Sequence, residues 1–379
     1  MLSRFAASRV QSAFGIFRSG GDGRFLARAG VSFGGMRRFT TPLFSLAVLV
    51  SAALGIAADA KKPAAFADIA AKKPDVTIVV TDSGLGGLSV AADLAARLPA
   101  SGIVQSARIV FVNAEPDAAF GYNDMKLEAD RVRVFDGALA AMEARYEPDL
   151  ILIACNTLSV VYPGTAHAKR GSTETIEIVS LGAGLIRKEL AAKPDATALV
   201  FATKTTIESG AHKRLLVAKG LPAGQFVGEA CPRLAGAIER GAASDETAAF
   251  VKKFVAEGLE KRLDKTGPIV VSLNCTHFPY VKPLWEQAFA GFGYPEVKVL
   301  DPNPLMTDVV LREGGAKRYS KTSVSVEVVS KVPIDEATRA NLGGLLRAVS
   351  PLTSDALGRY RFEPALFRAK IDPSNVVPR

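Results

Sequence analysis

The chain has 379 residues, long enough for two ordinary domains, and its 48% hydrophobic and 22% charged content is that of a globular protein. Its net charge of +9 is concentrated at one end: residues 1–60 hold seven arginines against two aspartates, a local +5, which leaves only +4 for the rest. No Lys/Arg stripe with interleaved aromatics appears in the body, which sets nucleic acid aside as a partner, and three widely spaced cysteines are no disulfide framework.

In chain order, residues 1–60 read as a targeting segment rather than as fold. Residues 1–35 are rich in Arg, Ser, Gly and Phe and resemble a transit peptide, unless Met36 is the true start. Met36-Arg37-Arg38 is a short basic start, Pro42 to Ala58 an uncharged run of 17 residues, and Ala58-Asp59-Ala60 a signal-peptidase pattern. This order predicts export to the periplasm or secretion, with cleavage after Ala60 and only transient membrane contact. The alternatives are an organelle address or an uncleaved anchor, for which 17 residues is the bottom of the spanning range. Free thiols sit awkwardly with an oxidising compartment. Residues 61–75, with two Lys-Lys-Pro units among alanines, read as a linker.

From Val76 the chain alternates short Val/Ile/Leu runs with amphipathic segments. Strands are expected at Val76–Val80, Ala107–Val112, Leu150–Ala154, Glu177–Leu181, Thr197–Ala202, Gln225–Val227, Ile269–Leu273 and Val297–Leu300. Helices are expected at Leu88–Leu98, Leu127–Glu143, Ser209–Ala218 and Asp245–Leu263. The alternation predicts an α/β protein with parallel sheets covered on both faces. The seam near Ile176–Gly184 divides a first domain, 76–176 completed by 295–330, from a second, 177–294; residues 331–379 read as a C-terminal extension.

Three motifs carry chemistry. Thr81-Asp82-Ser83-Gly84-Leu85-Gly86-Gly87-Leu88-Ser89 follows a strand and opens a helix, so its glycines can bring backbone N–H groups to an anion. Ser89 stands where a dinucleotide fingerprint needs glycine, and no Lys-Ser/Thr pair follows, so a carboxylate is the natural guest. Ala154-Cys155-Asn156-Thr157 and Asn274-Cys275-Thr276-His277 both end strand-like runs, where α/β folds place their chemistry. A thiol with a pKa near 8.5 becomes a base when its surroundings stabilise the thiolate. Two thiols at matched strand ends suggest one acid/base group on each side of a shared substrate, with His277 able to exchange a proton with Cys275. Cys231, in Ala230-Cys231-Pro232, lacks such company and reads as structural, and His167 and His212 as surface or helix residues. Cys-x-His is not a zinc spacing.

Together these motifs resemble those of glutamate racemase, in the aspartate/glutamate racemase family. The likeness rests on Asp82-Ser83-Gly84-Leu85-Gly86-Gly87-Leu88-Ser89-Val90, Ala154-Cys155-Asn156-Thr157, Ala202-Thr203-Lys204-Thr205-Thr206-Ile207-Glu208-Ser209-Gly210, Ala230-Cys231-Pro232 and Cys275-Thr276-His277-Phe278-Pro279, in order over about Val76 to Val310. It implies two flavodoxin-like domains with the active site in the cleft between them, no cofactor, and a small acidic amino acid as substrate. It also implies a two-base reaction in which Cys155 and Cys275 move the α-proton, Asp82 assists Cys155 and His277 assists Cys275, with Glu239 a further carboxylate near the site. Ser83, Phe120, Gly121, Asn156, Thr157, Thr203, Thr206 and Thr276 would join Asp82 and His277 in contacting substrate, and family members commonly form homodimers. The chain departs from the pattern at Ala119-Phe120-Gly121, where Pro-Tyr-Gly is expected, at Ala114 (an acid), Asn274 (glycine) and His212 (tyrosine), while Arg233 adds a charge near the substrate's side chain.

Competing readings are an aspartate racemase or another acidic-substrate isomerase of the same superfamily, and an exported non-catalytic amino-acid-binding protein. A decarboxylase relative would keep only one of the cysteines, a binding protein needs neither, and a cysteine hydrolase needs a single nucleophile with its histidine. Sequencing the mature N-terminus checks the export reading: Lys61 is expected first, and a mature chain that keeps the 42–58 run would refute cleavage.

Overall fold

Val/Ile/Leu runs that can pair on both edges and bury both faces form the centre of two sheets. The computed structural model describes residues 65–377, so the targeting and start-site expectations lie outside the described residues. In chain order the strands are β1 (Asp75–Asp82), β2 (Ser106–Asn113), β3 (Leu150–Ile153), β4 (Glu174–Glu177), β5 (Thr197–Ala202), β6 (Phe226–Ala230), β7 (Ile269–Asn274), β8 (Val299–Leu300), β9 (Ser323–Ser330) and β10 (Arg361–Phe362). One sheet has the order β10-β9-β2-β1-β3-β4, the other β6-β5-β7-β8. Every strand pair within them is parallel.

The central strands are apolar throughout because helices cover both faces. On β1, Ile78 and Val80 join one core and Val79 the other, as the two-residue period of a strand requires. On β5, Leu199 and Phe201 face one core and Ala198 and Val200 the other. Trp285 anchors the second lobe, fully buried, with its ring 4.8 Å from Phe201 and 5.6 Å from Phe278 between centroids. Strand order reverses between β1 and β3 in the first sheet and between β5 and β7 in the second. Such switch points open a crevice beyond the strands' carboxyl ends, and here both crevices contribute to one cavity.

Four expectations are corrected. Residues Glu177–Leu181 are not a strand: β4 ends at Glu177, whose carboxylate accepts from Val179 N (2.7 Å) and Ser180 N (3.0 Å) and starts the helix Ile178–Ala192. This carboxylate cap satisfies N–H groups a helix cannot satisfy itself, and the apolar Ile-Val pair concealed it. The linker 61–75 contains a helix, Phe66–Lys72, whose Phe66 and Ala70 are buried in the first core. Val299–Leu300 pairs with β7, so the chain returns to the first lobe only after β8. The 331–379 stretch is no appendage: β10 lies beside β9, and Ile334, Leu342, Leu346 and Leu357 are buried in the first core.

Because Phe66 is fully buried, Phe66→Ala is expected to destabilise the protein by about 3 kcal/mol. Urea unfolding reads this directly, and an unchanged midpoint would return the segment to linker status.

Candidate active site

Functional side chains cluster where strands end. Asp82 and Ser83 end or follow β1, Cys155 to Thr157 follow β3, Thr203 follows β5, and Cys275 to His277 follow β7. They line one cavity of about 600 Å³ together with Gly121, Glu239 and Arg233.

Cys155 is buried and N-caps the short helix Asn156–Val161, its Sγ accepting from Leu158 N at 3.4 Å. Ser83 Oγ lies 3.1 Å from the same sulfur. Burial and the neighbouring Asp82 push the Cys155 thiol well above its ordinary value, against the pull of Ser83 and the helix N–H. Cys155 therefore holds its proton at neutral pH. Asp82, itself buried, accepts from Ser83 N (2.6 Å) and Thr276 Oγ1 (2.7 Å), which ties the first lobe to the second.

Cys275 has different company. His277 Nδ1 lies 3.7 Å from its Sγ, and His277 Nε2 meets Glu239 Oε1 at 2.6 Å. Burial alone would lower the imidazole's affinity for a proton, but Glu239 and Cys275 outweigh it and hold the His277 pKa well above the usual 6.5. Two buried thiols thus share a cavity, one beside a carboxylate and a hydroxyl, the other beside a proton-holding imidazole.

The glycine loop works differently from the expectation of an anion nest. Leu85 N donates to Glu239 Oε1 at 3.0 Å, and Ser83 N to Asp82, so the loop's N–H groups serve the protein's own carboxylates. A Cβ at Gly86 would collide with the Thr276 hydroxyl and the His277 ring, and one at Gly87 would lie 2.9 Å from the Asp82 side chain. The glycines let β1's loop press against the second lobe's thiol segment.

Asn156 is 2% exposed, and neither its amide nitrogen nor its amide oxygen has a partner within the protein, a costly arrangement unless a ligand completes it. Thr157 Oγ1 lies 2.7 Å from Thr203 Oγ1, which lies 2.9 Å from Thr206 Oγ1. Thr206 therefore supports the hydroxyl cluster from behind instead of lining the cavity. Phe120 also falls outside the lining and packs on the first lobe's second core, while Gly121 remains at the wall with its N–H bound to Asp124 Oδ2 at 2.7 Å. Sequence reasoning missed Glu115, Tyr122, Asn123 and Asp124 on this wall. Glu115 follows β2, so the strand-end rule points to it; the turn Tyr122–Asp124 carried no comparable signal.

Two departures from the family pattern meet in space. Asn274 Nδ2 lies 2.8 Å from His212 Nε2, both buried, and burial lowers the His212 pKa to about 4, so the neutral ring accepts from the amide. Of the two expectations for these histidines, helix holds and surface does not: His212 and His167 lie in the helices Ala211–Val217 and Ala166–Arg170 and are both buried, His167 against Glu143 at 3.2 Å. Cys231 is buried in the second lobe's core. Among the described residues no group of three or more His, Cys, Asp or Glu is placed to hold a metal ion, and no helix is long and apolar enough to cross a membrane.

No protein-family model matches the chain. Among curated proteins it is 28% identical over 204 residues to the glutamate racemase of Corynebacterium diphtheriae, covering 53% of this chain and 69% of that one. It is 27% identical over 220 residues to the glutamate racemase of Lactiplantibacillus plantarum, covering 58% and 72%. Its fold matches the crystal structure of Francisella tularensis glutamate racemase in complex with D-glutamate, with a TM-score of 0.55 and 20% identity, over 73% of this chain and 95% of that one. The resemblance in the motifs thus extends to the two-sheet fold: the chain is similar to curated glutamate racemases in sequence and to a solved one in fold.

The His277–Glu239 contact gives a titration test. With its folded pKa raised, His277 contributes stability that is fully present below the unfolded value near 6.5 and lost as pH rises through the raised value. Glu239→Gln removes the negative partner, so the His277 titration midpoint is expected to fall, read by NMR of the three histidine rings. A midpoint that stays put would show that Glu239 does not hold the proton.

Proposed function

We propose that this chain is a cofactor-independent glutamate racemase that works with two cysteines. The observation that carries this reading is the placement of Cys155 and Cys275 at the ends of two switch-point strands on a single cavity, each with its own proton partner. A racemase needs an acid/base group on each face of the α-carbon, whereas a hydrolase needs one nucleophile.

In the proposed reaction one sulfur, as thiolate, takes the α-hydrogen as a proton, and the C–H electron pair stays on the α-carbon. The other sulfur, as thiol, delivers its proton to the opposite face of that carbon. The proton count is conserved, and the two sulfurs exchange roles for the reverse direction. The Ser83 hydroxyl and Asp82 adjust Cys155, and the His277–Glu239 pair adjusts Cys275.

The α-carbanion forms only if the α-carboxylate is drawn into strong hydrogen bonds. The unpaired Asn156 amide and the Thr157 hydroxyl on the cavity wall supply donors, each removable donor being worth about 3 kcal/mol, while the Thr276 hydroxyl is already given to Asp82. The side-chain carboxylate has Arg233 as its cation. Arg233 lies on the cavity wall, while its neighbour Arg240 is engaged by Glu246 at 3.0 Å. The Gly121 N–H, already given to Asp124, leaves that role to Arg233.

Incubating the protein with L-glutamate in D2O under reducing conditions is expected to give α-deuterated D-glutamate, with L-aspartate as the comparison substrate. Cys155→Ser and Cys275→Ser are each expected to cut racemisation at least about 1,000-fold, since a serine hydroxyl is a far weaker acid/base group than a thiol. Absence of exchange with glutamate and aspartate alike would sink the racemase reading, and undiminished turnover in either single variant would sink the two-cysteine assignment.

A further inference from the structure

The C-terminal stretch reaches across to the second lobe through Asn341 and Leu345. Asn341, in the helix Glu336–Arg347, donates through Nδ2 to Ile238 O (2.9 Å) and Glu239 O (2.9 Å), and its Oδ1 accepts from Ala242 N at 3.3 Å. Two carbonyls at one end and an N–H at the other leave a single orientation for the amide. The two carbonyls belong to the last turn of the helix Leu234–Arg240, where backbone oxygens have no partner within the helix. Leu345, on the same face as Asn341, packs against the cores of both lobes.

We propose that Asn341 is a positioning residue for the Glu239–His277–Cys275 relay, which makes residues 331–379 part of the catalytic apparatus; this rests on the racemase reading above. Glu239 is fixed at both ends from the first lobe. Its carboxylate is fixed by Leu85 N at 3.0 Å, and its backbone carbonyl by Asn341 at 2.9 Å. The side chain between these anchors meets His277 Nε2 at 2.6 Å, and His277 Nδ1 faces Cys275 Sγ at 3.7 Å. Without the Asn341 amide, the last turn of the Glu239 helix loses its cap, and the carboxylate no longer has a fixed distance to the imidazole. The Cys155 side, held by Ser83 and the helix N–H of Leu158, has no contact with Asn341 and keeps its geometry.

The test compares the full chain with Asn341→Ala and the near-isosteric Asn341→Asp, which presents no donor to the two carbonyls. The first readout is the His277 ring in the NMR spectrum, followed beside His167 and His212. In both variants the His277 N–H signal is expected to shift or broaden through exchange while the other two rings stay in place. The second readout is the primary isotope effect with α-deuterated L- and D-glutamate. The ratio of the effects for the two enantiomers is expected to move away from its wild-type value, because only one of the two proton-transfer sides is disturbed, with kcat falling about 10-fold and KM changing less than 2-fold. An unmoved His277 signal in both variants, equal shifts of all three histidines, or an isotope-effect ratio that keeps its wild-type value would overturn the proposal. The NMR readout does not need turnover, so a wild-type protein that fails to racemise would overturn the functional reading, while the His277 signal still decides whether Asn341 positions the Glu239–His277 pair.

Discussion

Glu239 Oε1 is the atom on which the site depends. It accepts from Leu85 N in the first lobe and meets His277 Nε2 in the second, at 3.0 Å and 2.6 Å. A charge-assisted hydrogen bond of this kind is stronger than a neutral one, and its imidazole partner is buried. It holds a proton on His277 beside Cys275, and it draws the glycine loop of β1 onto the second lobe. Asp82 makes the parallel link, accepting from Thr276 Oγ1 at 2.7 Å. The two lobes are thus joined by hydrogen bonds that belong to the chemistry itself, and a change at either carboxylate alters both the cleft and the proton inventory.

The cost of this arrangement explains the glycines. For Leu85 N to reach Glu239 the loop must pass within contact of Thr276 and His277, and a side chain at Gly86 would collide with both. The same closeness keeps Asp82 and Cys155 dry, and dryness together with the carboxylate keeps the proton on Cys155. The two thiols are therefore chemically unequal although their strand-end positions match.

Much of this was legible in the residues. Strand-end cysteines with polar followers located the cavity, because parallel sheets expose their chemistry at the carboxyl ends. The period of the apolar runs located most strands. The failures have physical causes. Glu177 ends a strand and caps a helix within four residues, a change of period too short to read. Phe120 looked like a contact because it occupies a motif position, yet an aromatic ring beside a core gains more by burial there than in a polar cavity. Thr206 sits one bond behind the wall because a helix turn places it under Thr203. Asn274 and His212, two unrelated departures along the chain, proved to be a single buried pair.

The sequence by itself determined the fold class, the two thiols and His277 as the neighbour of Cys275, since these follow from local period and short spacing. Tertiary structure alone decided that Leu85 serves Glu239, that Arg233 stands on the wall, and that the 331–379 stretch closes on the second lobe through Asn341. Those contacts join residues about 100 or more positions apart, or depend on where a strand order reverses. Local pattern records which face a residue prefers, but only the packed sheets decide which distant face it meets.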